Sequence, residues 1–184
     1  PGINTLKYRE NFTSATELFM MEFGQRVIGI TGTKGKSTTS SMLYHVLKEC
    51  KRDAILCGNI GLPCFDYYDA IGPDTVIVYE LACHQLNQIK FSPHIAILLN
   101  LFEDHLDYYG TRERYFQCKK GISLNQSEED ILYKGENVPD FDTRARVKTL
   151  FERDDIELSL KLKGEHNLHN ANFVYRVLNE QFDI

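Results

Sequence analysis

Four short apolar runs rich in β-branched residues punctuate this sequence: RVIGIT (26–31), AILC (54–57), TVIVYEL (75–81) and HIAILLN (94–100). They are nearly continuous rather than alternating, and each is too short for a helix. A strand reads this way when both faces of its sheet are covered, which is the condition of a parallel sheet. Helical patterns lie between and after them. STTSSMLYHVLKEC (37–50) puts Met42, Leu43, Val46 and Leu47 on one face, and TRERYFQCKKGI (111–122) follows Gly110. Strands alternating with helices imply an α/β doubly wound fold of three layers, with right-handed crossovers and a mostly parallel sheet.

The later sequence changes character. DILYK (130–134), VKTLF (147–151) and IELSLKLK (156–163) read as strands that are antiparallel or at a sheet edge, which adds a small antiparallel β region. A helix is expected from about His166 to Phe182. Through about Glu22 the chain reads as a connector, apart from a short helical piece around TELFMMEF (16–23). At 184 residues, with 26% charged and 42% hydrophobic, the chain has the size and composition of one globular domain. A net charge of −5 argues against a general nucleic-acid binder. No apolar run approaches a membrane span and no signal peptide is evident, so the reading is cytoplasmic, without nucleic-acid or membrane partners. The five cysteines are odd in number and form no C-x-x-C, which points to reduced thiols. His166 and His169 form an HxxH pair with no third ligand near in sequence, and are not read as a metal site.

Chemistry concentrates after the first strand, at GITGTKGKS (29–37). The general phosphate-loop pattern G-x-x-x-x-G-K-[ST] fails, because Ile30 stands five places before Gly35. The physical elements remain. Gly32 and Gly35 permit close backbone approach to a phosphate, Lys36 supplies a charge, and Ser37 offers a hydroxyl at a helix start. A second group lies where α/β folds place their ligands, beyond the carboxyl ends of strands. Glu80 ends one apolar run, and Asn100, Glu103, Asp104 and His105 follow another. Glu103 and Asp104 equally suit the first turn of a helix.

Six blocks in series, ITGTKGKSTT, GNIGLP, YELACHQL, LLNLFEDHLDYY, YFQCKKGI and GEHNLHN, resemble the central ATP-binding domain of the Mur ligase family. Their pattern is most similar to the branch that adds D-glutamate to UDP-N-acetylmuramoyl-L-alanine in peptidoglycan synthesis. The resemblance implies a phosphate-loop domain that binds ATP and two magnesium ions and helps join an amino acid to a carboxylate through an acyl phosphate. It implies that Gly32, Thr33, Lys34, Gly35, Lys36, Ser37 and Thr38 hold phosphates. Ser37 or Thr38, with Glu80, would hold one magnesium ion. His105 and Lys119, the latter as a carbamate, would hold a second. Asn59, Gln85 and His105 would face a UDP-muramoyl substrate, and Asn167 and Asn170 the adenine and ribose.

The sequence departs from the family pattern at Lys34, usually asparagine, and at Ala82, Cys83 and His84, usually two serines and a phenylalanine. The second departure leaves open a related ligase with another acidic acceptor, as in folate polyglutamylation, or a non-catalytic nucleotide-binding paralogue. Cys83 is read as a structural thiol, with a nucleophile as the alternative. The family has three domains. The expected organisation is therefore a connector over 1–22, leading from a missing N-terminal domain, then a central domain over 23–184, with the C-terminal domain absent. Pro1 in place of a methionine fits a segment of something longer, and the fragment alone is expected to be inactive.

Overall fold

The computed structural model describes residues 13–87, 89–104, 106–151 and 160–184. Helix α1 (Ala15–Phe23) begins where the Ser14 hydroxyl accepts the Glu17 N–H at 3.0 Å. Strand β1 (Val27–Thr31), helix α2 (Lys36–Glu49), β2 (Ala54–Gly58), β3 (Val76–Glu80), the one-turn α3 (Cys83–Leu86) and β4 (Ile95–Leu98) follow. After β4 come the one-turn α4 (Leu106–Tyr109), α5 (Arg112–Lys120), β5 (Ile131–Gly135), β6 (Arg146–Leu150) and α6 (Glu165–Phe182). A 3-10 helix spans Cys64–Ala70 between β2 and β3.

The six strands form one sheet in the order β2-β3-β1-β4-β5-β6, and every pairing is parallel. Successive residues face opposite sides, and both sides are buried. Ile28, Ile30, Val78, Ile95 and Ile97 pack with Leu43 and Leu47 of α2 and Phe173 and Val177 of α6. Val27, Ile77, Tyr79, Ala96 and Leu98 pack with Phe19 and Phe23 of α1 and Tyr115 and Phe116 of α5. Two cores on one sheet account for the near-continuous apolar runs. Helix α1 belongs to this second core: Phe19 meets Tyr79 edge-on at 5.7 Å, and the Tyr79 hydroxyl lies 3.2 Å from Thr16 Oγ1.

One expectation needs correction. DILYK and VKTLF do not open an antiparallel region, since β5 and β6 extend the sheet in parallel. Of the two expectations, antiparallel or sheet edge, β6 meets the second as the outermost strand, while β5 lies inside it. Arg146, Val147 and Lys148 of β6 are exposed, and charged residues on an outermost strand discourage pairing with another chain. The first half of IELSLKLK, residues 156–159, lies outside the described residues.

Candidate functional site

Because β1 pairs with β3 on one side and β4 on the other, strand order reverses around it, and α/β sheets bind their ligands beyond the carboxyl ends of the strands at such a reversal. The glycine-rich loop leaves β1, Glu80 ends β3, and Asn100 follows β4. All three arrive at the same rim.

The loop ends at Gly35, whose φ of 86° lies in the left-handed region, and a Cβ there would sit 2.4 Å from Asn170 Oδ1. Glycine is therefore required twice over, by conformation and by the amide of α6 packed against it. Gly35 caps α2 without any side-chain hydrogen bond. The N–H groups of Lys36, Ser37 and Thr38 have no partner within the helix, whose dipole puts partial positive charge in the same place. The Lys36 ammonium curls back and donates to the Gly32 and Thr33 carbonyls, both at 3.0 Å. Positive charge is concentrated inside the loop, which suits a polyphosphate.

Two N–H groups of this loop are engaged within the protein. Thr33 donates to the Asn100 carbonyl at 3.1 Å and Lys34 to Asn100 Oδ1 at 2.9 Å, while Asn100 Nδ2 donates to the Lys34 carbonyl at 3.0 Å. The Thr33 hydroxyl also has its full complement of partners. It donates to the Phe102 carbonyl (3.2 Å) and accepts from the Phe102 N–H (2.9 Å) and the Tyr115 hydroxyl (3.3 Å). Lys34 is held by its backbone and its side chain is exposed, so many residue types fit there.

Glu80 is completely buried. Its Oε1 accepts from Asn59 Nδ2 at 3.0 Å, and its backbone carbonyl accepts the Asn59 N–H at 3.0 Å. Gly58 permits this contact: its φ is 104°, and a Cβ would meet the Glu80 carbonyl at 2.3 Å. Glu80 Oε2 is buried with no hydrogen-bond partner among the described residues. An acceptor oxygen left so at a site rim fits a cation. No three His, Cys, Asp or Glu side chains cluster for a metal among the described residues. Magnesium would thus take Glu80 and Ser37 from the protein and its remaining oxygens from phosphate and water, as this ion commonly does.

On α5, Lys119 points inward at 2% exposure with its Nζ 5.1 Å above the Tyr115 ring, whereas Lys120 lies over Phe141. Burial, reinforced by the nearby Lys36 charge, pushes the Lys119 ammonium down to about 8, although Cys83, Cys118 and Asp104 pull the other way.

The sequence model of the Mur ligase middle domain matches residues 30–134, more than half of the chain. The chain belongs to that family. This Mur ligase middle domain is 33% identical over 173 residues to the UDP-N-acetylmuramoylalanine--D-glutamate ligase of Clostridioides difficile (strain 630), covering 78% of this chain and 38% of that protein. It is 47% identical over 104 residues to the protein of the same name from Geobacillus kaustophilus (strain HTA426), covering 56% and 23%. It thus spans well under half the length of these curated relatives. Among solved structures it is similar to MurF ligase from Thermotoga maritima in complex with ADP, with a TM-score of 0.68 at 22% identity over 90% of this chain and 47% of the other. E. coli FolC in complex with ADP gives a TM-score of 0.58 at 18% identity, covering 93% and 60%. At these identities the likeness is one of fold.

The remaining residues singled out in the sequence fall as follows in this Mur ligase middle domain. Asn170 is buried against Gly35, while Asn167 Nδ2 donates to the Lys163 carbonyl at 2.9 Å. Gln85 Oε1 accepts the Ala82 N–H at 2.8 Å, capping α3. His84 is exposed; Cys83 is buried, its carbonyl accepting the Cys118 thiol at 2.7 Å. His105 lies outside the described residues. Sequence reasoning missed the Asn100 clamp and the bond from Asn59 to Glu80. The only signal for either was its position just beyond a strand end.

Proposed function

We propose that this domain is the nucleotide-handling centre of an ATP-dependent amide ligase, one that adds D-glutamate to UDP-N-acetylmuramoyl-L-alanine in cytoplasmic peptidoglycan precursor synthesis. One observation carries the reading: the uncapped start of α2, with Lys36 folded into its loop, shares a rim with a buried carboxylate whose Oε2 has no partner among the described residues. The reaction begins when a substrate carboxylate oxygen attacks the γ-phosphorus of ATP. ADP leaves and an acyl phosphate forms; an amine then attacks the acyl carbon and phosphate departs. The first attack brings an anion to an anion. Lys36 and the N–H groups of Lys36, Ser37 and Thr38 offset that repulsion by gathering the β- and γ-phosphates.

Ser37, or Thr38 beside it, and Glu80 would hold one magnesium ion. His105 and Lys119, the latter as a carbamate, would hold a second. When bound, the metal supplies Lewis-acid charge at the transferring phosphoryl group. A Lys119 ammonium held down to about 8 is neutral far more often at physiological pH than a surface lysine, and the neutral amine is the form that takes up carbon dioxide. Asn170, packed on Gly35, would lie toward the nucleotide together with Asn167. Asn59 and Gln85 would lie toward the muramoyl substrate. The burial of Cys83 favours a structural thiol at the departure from the family pattern, and similarity to the named D-glutamate ligases supports that assignment over another acidic acceptor. Flanking domains would bind the uridine nucleotide and bring the amino acid. Residues 1–22 would lead in from the first of these and 23–184 form the centre, so the chain alone is expected to make no amide bond.

Two measurements test this. An imido-bridged ATP analogue should raise the unfolding temperature of this chain only with magnesium, and Lys36→Ala should abolish the shift. An unchanged shift would overturn the loop assignment. In the full-length parent, phosphate release should require UDP-N-acetylmuramoyl-L-alanine; release driven instead by a folate or another acidic acceptor would replace the substrate, and no release with any acceptor would favour a non-catalytic module.

A further inference from the structure

The phosphate loop is held from outside itself, and mostly by one residue. Asn100 takes the Lys34 N–H on its side-chain oxygen, gives its side-chain N–H to the Lys34 carbonyl, and takes the Thr33 N–H on its own carbonyl, all between 2.9 and 3.1 Å. The amide orientation is forced, because a backbone N–H can only meet the oxygen and a backbone carbonyl can only meet the nitrogen. One residue earlier in the loop, the Thr33 hydroxyl is saturated by Phe102 and by the hydroxyl of Tyr115. Thr33 and Lys34 therefore present no backbone N–H to an anion. They are the fixed hinge from which residues 35–38 project theirs.

We propose that Asn100 is the positioning residue for the phosphate loop, with Tyr115 as its lesser partner, and that the two hold the loop in its anion-receiving shape before a nucleotide arrives. The inference rests on the nucleotide reading above. An unclamped loop has to be ordered at the moment of binding, and that ordering lowers affinity for the phosphates alone. The base and ribose, which Asn167 and Asn170 of α6 would contact, depend on it far less. The clamp also joins parts of the rim. Asn100 opens the segment that carries Glu103 and Asp104, and Tyr115 stands on α5 one turn before Lys119. The geometry also accounts for Lys34 in place of asparagine, since the contacts at that position are to backbone atoms.

The test compares two ligands, the imido-bridged ATP analogue with magnesium and AMP, by calorimetric titration of this chain. In Asn100→Ala, affinity for the analogue should fall about tenfold, as loss of two side-chain hydrogen bonds predicts, while affinity for AMP changes less than twofold. Tyr115→Phe, which keeps the ring under Lys119, should lose about threefold with the same selectivity. Asn100→Asp retains the acceptor for the Lys34 N–H but sets a carboxylate oxygen against the Lys34 carbonyl. It should be at least as weak as the alanine variant, and it carries the test if Asn100→Ala does not fold. Equal losses for both ligands, or none in either Asn100 variant, would overturn the proposal. If the unmodified chain fails to prefer the triphosphate over AMP, the nucleotide reading itself falls.

Discussion

Lys119 is where a single side chain most clearly costs the fold stability. Its ammonium is buried against an aromatic ring and held down to about 8 from 10.5, mainly by burial. Between those two values the unfolded chain binds the proton and the folded one does not, so stability should rise with pH across that window. Below pH 8 the buried charge destabilises the fold by about 3 kcal/mol. Lys119→Met should therefore stabilise the chain at pH 7 by about 1–3 kcal/mol and flatten the rise between pH 8 and 10.5. Urea midpoints at pH 7 and 10 in carbon-dioxide-free buffer check this, and the difference between the two proteins removes the contribution of the tyrosines. A less stable methionine variant would refute it. Composition alone showed none of this in QCKKGI, where two adjacent lysines look like exposed helix charges; the family resemblance singled out Lys119. The packing of α5 then gives the physical difference, burying Lys119 and leaving Lys120 over Phe141. Glu80 was easier to single out, because an acid that closes a run such as VIVY has few structural uses.

Among the elements, the strands and long helices were legible because burial on both faces leaves a continuous apolar signature and α6 keeps a helical one. The parallel direction of β5 and β6 was not, since the pairing partner and not the composition of such short runs sets strand direction. The start of β5 is fastened by a group that sequence inspection overlooks. Asp130 accepts from the Ser127 N–H (2.7 Å) and hydroxyl (2.9 Å) and pairs with His94 Nδ1 at 2.7 Å, tying β5 to the entry of β4. Burial alone would raise the Asp130 carboxyl, but the hydrogen bonds from Ser127 and His94 outweigh it and hold it below the usual carboxylate range. The stabilisation is thus present above the unfolded carboxylate value and lost as pH falls through the folded one. Asp130→Asn should cost about 1–2 kcal/mol at pH 7, with the gap to the unmodified chain closing toward pH 3 in urea titrations. On the opposite face, Phe173 of α6 is fully buried in the core beneath α2. Phe173→Ala should cost about 3–5 kcal/mol, read as a lower urea midpoint with unchanged slope.

For the whole molecule, ligand binding and folding are one equilibrium. At a hundredfold excess over the dissociation constant, the magnesium complex of the ATP analogue should stabilise the chain by about 2.7 kcal/mol. That corresponds to a rise of roughly 5–10 °C in a domain of this size, and a shift independent of ligand concentration would contradict specific binding. The strand order has a further consequence, for how the chain reaches this state. Val27 of β1 pairs with Ile77, and Ile28 with Ile95, so the central strand has no neighbour until some fifty residues more have left the ribosome. Pairing this distant in sequence makes folding slow and leaves apolar edges open to other chains meanwhile. The phosphate loop is the extreme case: Lys34 and Asn100 are 66 residues apart in sequence, so the loop must wait for that much more chain before it can take its shape.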